Sequence, residues 1–537
     1  MNRMERAVNV GTSPVHADRS RSEASIARRR TWRLSRLAAS ALACVAALGA
    51  TGALAVAQSG EQKNMTLVGH DDLQGRPAYQ PNFIDYPDGR TIAFIGTHGG
   101  SAPNPLNGGA VEANGTMIVD ITDPRNPVEK FHIPGTTPGT QMVRLCLGSD
   151  LPNGVSGHVY MMRNFAGGYE TWDVTDVTHP VGPLATLSHI RSTHKFWWEC
   201  NTGIAYMPGS KDDSWGQPLW RQRQSMVIVD WSNPAAPPIY IRTFGLPGGQ
   251  PEPNGSGPIP PSLHGPISAH EHPQAAMPLV HGVSADDVVG NRIYAAYGVG
   301  SNGVVQILDR KKLLTPAYGG TYTGDVDNPT NEELLYSQVG ILYLSPDQGG
   351  HTSMPVFGLA PKSLQDVPQK RDIVIVTSEA GNCTSQHWAF LADVSTENSI
   401  DAQTGTAIRQ NPWQGPMILS TLWVDPHAGD KYPRGDYCLR GQRFGTHSVE
   451  ENFNNPFYGK LTFTAYFNAG VRAWDIRDPQ GPTEVGFYVP AAPNNTYMTN
   501  NVEVDNRGNV IIVDRLGNGM DILQLHGPAA QIGYGQR

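Results

Sequence analysis

One phrase recurs along the chain and limits what it can fold into. It is a run of β-branched and aromatic residues, then an aspartate, then a turn built on Asp or Asn with Pro. It reads TMIVDITDPRNP from Thr116 to Pro127, ETWDVTDVTHP from Glu170 to Pro180, MVIVDWSNPAAP from Met226 to Pro237, and VRAWDIRDPQGP from Val471 to Pro482. Weaker copies are VVQILDRKKLL (Val304 to Leu314), WAFLADVSTEN (Trp388 to Asn398) and GMDILQL (Gly519 to Leu525). Val, Ile, Thr and Trp in alternation suit a pleated, half-buried strand. The Asp or Asn that follows bonds nearby backbone amides and Pro presets φ, so each strand ends in a turn.

The aspartates of the phrase are Asp120, Asp173, Asp230, Asp309, Asp393, Asp475 and Asp521, spaced 46 to 84 residues apart. The intervals hold further short strand runs such as RDIVIVTSE and KLTFTAYFN, and no long helical pattern. Several short strands repeating at this period are the mark of a propeller blade. Seven copies predict an all-β fold, a single closed β-propeller of seven blades with long inter-strand loops. An array of β-sandwiches is the alternative, but seven repeats without a linker between them favour closure. The 59 glycines and 43 prolines supply the turns, and a 39% hydrophobic content supplies the core. A strand at 64–70, ahead of the first full repeat, is expected to complete the last blade and hide its edge.

The repeated VD-I-T-D-P phrase resembles the LVIVD-repeat family of exported bacterial proteins. The likeness runs from NMTLVGHDDLQGRPAYQP (Asn64 to Pro81) to NNVEVDNRGNVIIVDRLGNGMDIL (Asn500 to Leu523). It implies a propeller and leaves the reaction open, because propellers host many unrelated functions.

Residues 1–57 read as an export signal. A basic n-region, 1–36, contains ARRRTWRLSR, and an apolar h-region, 37–57, ends in Ala55-Val56-Ala57, which fits the small-x-small cleavage rule. An uncleaved anchor is the alternative. Arg29-Arg30 matches part of a twin-arginine signal, although Trp32 and Arg33 depart from it. The rest, 58–537, is expected to form the propeller domain outside the cytoplasm, in the periplasm, at the cell surface or secreted. No later apolar run is long enough to span a membrane. Four cysteines remain, Cys146, Cys200, Cys383 and Cys438. Their even number in an exported chain predicts two disulfides of open connectivity, and their wide spacing argues against a zinc knuckle.

Five of the 17 histidines share a context. His98 ends an apolar run in FIGTHGG, His194 precedes KFWWEC, His264 lies in SLHGPIS, His351 in GGHTSMP and His447 in FGTHSVEENF. Innermost strands of a propeller line its axis, so side chains distant in sequence converge there. These imidazoles are candidate ligands for Cu, Fe or Zn, with Glu199 and Glu379 as further ligands or as groups that fix the ring tautomers. The competing reading is mechanical. In WD-repeat blades a Gly-His dipeptide braces strands, and Gly350-His351, Trp172-Asp173 and Trp474-Asp475 echo that arrangement. A second histidine-rich stretch, AHEHPQAAMPLVHG with His270, Glu271, His272 and His281, is Pro-rich and loop-like. Cys383 and His387, four apart, are weaker copper candidates than Cys383 is a disulfide partner.

What is missing narrows the choice. A net charge of -8 without a basic stripe disfavours nucleic acid as a partner. A Walker loop, a Rossmann glycine fingerprint, a G-x-S-x-G elbow and an H-E-x-x-H pair are all absent from the sequence, so no nucleotide cofactor is expected. The expectation is therefore a metal-dependent oxidoreductase acting on a small molecule. The alternative is a non-catalytic platform meeting a protein or glycan.

Overall fold

A computed structural model describes residues 60–136, 139–271, 291–359, 371–379, 381, 383, 387–394, 416–441, 443–491 and 496–535. Residues 1–57, where the sequence predicts an export signal, lie outside them. The strands assemble into seven antiparallel sheets that follow one another as the blades of a propeller. Blade one is Ala78–Asp85, Thr91–His98, Thr116–Asp120 and Val128–Ile133; blade two is Val143–Leu147, Val159–Phe165, Gly168–Asp173 and Val181–Ser188. Blade three places Trp197–Trp198 beside Ile204–Lys211, Ser225–Asp230 and Ile239–Phe244. Blade four is Leu263–Ser268, Arg292–Tyr297, Val304–Asp309 and Gln338–Tyr343, and blade five Thr352–Leu359, Arg371–Thr377, Ala389–Asp393 and Met417–Leu422.

Blades six and seven borrow from the start of the domain. In blade seven, Thr499–Val504, Val510–Asp514 and Met520–Leu525 are joined on the outside by Met65–Asp71, which runs antiparallel to Met520–Leu525. In blade six, Leu461–Ala465, Val471–Asp475 and Thr483–Val489 receive Glu61–Lys63 as an added outer strand. The inner strand of blade six is reduced to bridges, Phe444 to Phe467 and Val449 to Thr464. Its backbone still bonds the sheet: the His447 amide donates to the Ala465 carbonyl at 2.9 Å.

The first strands of neighbouring blades touch one another around the ring, from blade seven onto blade one through to blade four onto blade five. Blades five and six are joined by hydroxyls. Thr446 Oγ1 donates to the Ser378 carbonyl at 2.7 Å, and Thr377 Oγ1 to the His447 carbonyl at 3.0 Å.

The repeated phrase has a local job. Its aspartate ends the third strand, and one carboxylate oxygen accepts the amide two residues on: Thr122 from Asp120, Thr175 from Asp173, Ser232 from Asp230 and Arg477 from Asp475. The second Asp or Asn repeats the device, as in Arg125 to Asp123 and Ala235 to Asn233. Two successive turns therefore reverse the chain into the outer strand. Asp521 does not belong to this series. The register of Met520–Leu525 puts Gln524 at the equivalent position, bonded to Asn509 at 2.9 Å, while Asp521 sits inside the strand opposite Ile512.

The expectation of half-buried strands also needs correction. In Thr91–His98, Ile92 and Phe94 pack toward blade two while Ala93 and Ile95 pack toward blade seven, and all four are fully buried. A blade has a neighbour on both faces, so its middle strands carry apolar residues at successive positions.

Two disulfides tie this ring. Cys146 pairs with Cys200, Cα atoms 5.4 Å apart, joining blade two to the end of the inner strand of blade three. Cys383 pairs with Cys438, Cα atoms 5.7 Å apart and 55 residues apart in sequence. Closing a loop of that length restricts the unfolded chain by about 4 kcal/mol. Cys383→Ser with Cys438→Ser should lower the unfolding free energy by that order in guanidinium titrations. An unchanged midpoint would show that the bridge constrains nothing.

Candidate functional site

The five histidines named from sequence gather at one end of the axis. His264 is the second residue of Leu263–Ser268, His351 immediately precedes Thr352–Leu359, and His194 lies three residues before Trp197–Trp198. His447 stands in the bridged inner segment of blade six. Each of these four thus enters at the start of an inner strand. His98 arrives differently, as the last residue of the second strand of blade one. Glycines prepare two of these positions. A Cβ on Gly96 would lie 2.1 Å from the Gln141 carbonyl oxygen, and Gly445 holds φ at +121°, a conformation that L side chains rarely adopt.

The rings form an arc that follows blade order. Centroids are 4.2 Å apart from His194 to His264, 3.8 Å from His264 to His351 and 4.2 Å from His351 to His447. Tyr79, the second residue of blade one's inner strand, closes the gap. Its ring meets those of His98, His194 and His447 edge-on at 5.2, 5.5 and 5.7 Å.

Much of this polar surface has no partner. His98 Nε2, His194 Nδ1, His351 Nε2 and Tyr79 Oη are buried and, among the described residues, make no hydrogen bond. Buried polar atoms without partners are rare and costly. Four of them in one cluster point to a ligand. The tautomers are partly set by what the other ring atoms meet. His264 Nδ1 donates to the His351 carbonyl at 2.8 Å, which leaves its Nε2 a lone pair. His351 Nδ1 lies 3.1 Å from Thr352 Oγ1, and one end of the Asn501 side-chain amide lies 2.7 Å from His447 Nδ1; turned oxygen-inward, that amide accepts the Nδ1 proton and leaves His447 Nε2 a lone pair. Gln141 Nε2 donates to His98 Nδ1 at 3.2 Å, so His98 presents an N–H from Nε2 rather than a lone pair.

All five rings are held neutral. Burial, aided by the Arg515 charge, pushes His98 down to about 3. Burial and the adjacent Lys195 ammonium push His194 down to about 3. Burial also drives His264, His351 and His447 well below the usual imidazole value. Neutral imidazole is the form that ligates metals.

The two glutamates part company. Glu379, Asp or Glu being the hard donor such a set lacks, offers an oxygen that lies with one nitrogen each of His351 and His447 in a group spanning no more than 4.8 Å. Its Oε1 also accepts from Arg443 at 2.5 Å. Glu199 does not join the cluster. It is fully buried and held by Arg310 through Nε at 2.8 Å and Nη2 at 2.6 Å, with Thr202, Tyr206 and Ser268 completing its shell. It clamps blade three to blade four. Cys383 is spent in its disulfide, and His387 Nδ1 bonds Ser378 Oγ at 2.7 Å, so the Cys-His pair holds no copper. Of the second histidine-rich stretch, His272 and His281 lie outside the described residues.

Lys195, Arg144, Tyr79, Arg443 and Arg515 were not singled out from sequence. Lys195 Nζ reaches Glu451 Oε1 at 2.7 Å, and Arg144 bonds the other oxygen of the same carboxylate. This ion triad occupies the axis beside the histidines and borders a cavity of about 230 Å³ lined by Asn82, Trp197, Glu271 and Glu503. The adjacency of Lys195 to His194 was the one available signal. The others depend on which strands the ring brings together.

The LVIVD repeat model matches residues 110–133 and 221–242, the outer parts of blades one and three. The chain carries LVIVD repeats. No curated protein matches it. Among solved structures it is similar to Raptor of Chaetomium thermophilum, at 10% identity and a TM-score of 0.43 over 87% of this chain and 30% of that one. It is also similar to the Dos1 propeller, at 9% identity and a TM-score of 0.41 over 86% of this chain and 96% of that one. Sqt1 of Saccharomyces cerevisiae gives 8% identity and a TM-score of 0.42 over 87% of this chain and 100% of that one.

Neutral, buried rings have a measurable consequence. Unfolded, each titrates near 6.5; folded, His98 and His194 titrate near 3. Their folded values are depressed, so the stability they support is present above pH 6.5 and is lost as pH falls toward 3. Each ring contributes a slope of up to about 1.4 kcal/mol per pH unit in that window. Metal-free protein should lose stability steeply between about pH 6.5 and 4, and His98→Gln should flatten the slope. Denaturant titrations at several pH values decide this; parallel curves for the two proteins would mean that His98 protonates in place.

Proposed function

We propose that this propeller binds a transition-metal ion among the axial histidines and uses it for redox chemistry on a small molecule. The observation that carries the reading is the arc His194, His264, His351 and His447, neutral and dehydrated, with Glu379 beside the last two. Two imidazoles with one carboxylate and open positions are the donor set of non-haem Fe(II) oxygenases, whereas an imidazole-only set also suits Cu and Zn. Iron is therefore our first choice of metal, held by His351, His447 and Glu379, with His194 and His264 extending the donor set. Bound there, the ion would supply Lewis-acid or one-electron chemistry to a substrate or O₂ at an open position. His98 would point its Nε2 proton at the bound species, and the edges of Tyr79 would exclude water.

The competing reading, a metal-free platform for a protein or glycan with histidines bracing the blades, has one observation in its favour. The His264 bond to the His351 carbonyl does span blades four and five. With the Gln141 contact at His98 and the Asn501 contact at His447 it accounts for one nitrogen on each of three rings, and it leaves the unpartnered nitrogens of His98, His194 and His351 without a role. Two disulfides fit an oxidising compartment, and among the described residues no helix is long and apolar enough to cross a membrane. We place the protein outside the cytoplasm on the basis of the disulfides.

Elemental analysis of purified protein should find stoichiometric Fe, or else Cu or Zn. His351→Ala and His447→Ala should each weaken metal binding by at least about tenfold while leaving the circular dichroism spectrum unchanged. A folded wild-type protein that carries no metal and takes up none on titration would overturn the reading in favour of the platform.

A further inference from the structure

Arg443 and Arg515 stand over the histidine arc, and both lean on one carboxylate. Nη1 of Arg443 is 2.5 Å from Glu379 Oε1, and Nη1 of Arg515 is 4.0 Å from the same oxygen. Their side chains are 30% and 29% exposed, whereas His264, His351 and His447 behind them are buried. Packing holds both heads in place. Arg443 lies over the Phe467 ring at 4.6 Å, and that ring is 5.0 Å from His447. Arg515 donates to Asn500 Oδ1 at 3.1 Å, and Asn500 in turn donates to the Tyr79 carbonyl at 2.8 Å.

Glu379 is thus asked to serve two masters. It is the carboxylate between the two guanidiniums, and it is also the oxygen donor nearest His351 and His447. A cation bound at the histidines would draw its charge away from the arginines. The field there is already positive: Arg515 lowers the proton affinity of His98, His194 and His447, and Arg443 adds to it at His447.

We propose that the substrate of this site carries a carboxylate, which docks on Arg443 and Arg515 where Glu379 now sits and releases Glu379 to the metal. The inference rests on the metal reading above and names its substrate class. A guanidinium presents a planar fork that matches a carboxylate, and the structure already seats one carboxylate against both. Binding of metal and of carboxylate must then be coupled, and the coupling is reciprocal.

The test measures Zn²⁺ affinity, zinc being a redox-silent probe, by competition with a chromophoric chelator in acetate, sulfate and chloride buffers of equal ionic strength. An Arg443→Met, Arg515→Met double variant, checked for folding by circular dichroism, sets the baseline for binding of zinc by the buffer itself. Relative to chloride, acetate should tighten zinc binding to the wild type by about tenfold more than to the double variant. Should the double variant not fold, Arg515→Lys keeps the charge, loses the fork and is expected to lose most of the response; an undiminished response there overturns the inference. Equal affinity in acetate and chloride overturns it and leaves the metal site standing. An equal gain in sulfate overturns the carboxylate class. Zinc bound in no buffer overturns the metal reading and this inference with it.

Discussion

Closure of the ring is the constraint on which everything else depends. Met65–Asp71 supplies the outer strand of blade seven, and the inner strand of blade seven packs on that of blade one. Sequence neighbours and the two ends of the domain are thereby held in one circle. Once the circle is shut, seven inner strands have nowhere to point their side chains but at one another. Residues separated by hundreds of positions become a single lining, and water is squeezed from the ends of those strands. The burial of the His194, His264, His351 and His447 rings, and with it their neutrality, follows from that geometry rather than from any property of the individual histidines.

The same squeeze brings charges onto the axis, and the chain manages them in pairs. Lys195 and Arg144 share Glu451, and Arg310 clamps Glu199. A buried charge left without such a partner is expensive. Glu503 illustrates the rule from the other side. With Lys195 and Arg144 already committed to Glu451, burial and that neighbouring charge push the Glu503 carboxyl up to about 8, so it stays protonated at neutral pH. The histidines obey it too, staying neutral because their rings are buried and the Lys195 and Arg515 charges stand nearby.

Much of the architecture was legible in the residues. The VD-x-T-D-P phrase marks third strands and the turns after them, because the aspartate and the amide two residues on are neighbours in sequence and need no tertiary help. The count of seven holds although the last repeat is offset, with Gln524 rather than Asp521 at the position of the repeat aspartate; alternation marks the strand but not its register. The histidine set was legible from its spacing of one or two blades rather than from one motif: Gly-Thr-His occurs at both His98 and His447, yet His98 ends a second strand while His447 stands in an inner one. Glu199 was misplaced because its acid side chain is two positions past Trp197, beyond the inner strand, where it meets blade four. Tyr79, Arg443 and Arg515 carry no repeated context and left nothing to find.

Local chemistry, then, determined the strands, the turns and the number of blades, because hydrogen bonds and hydrophobic alternation act within a few residues of one another. Cysteine pairing, the separation of Glu379 from Glu199, and the meeting of five imidazoles with one tyrosine were decided only by the closed ring. Those contacts join different blades, and the distances between blades are written in how sheets pack, not in the order of residues along the chain.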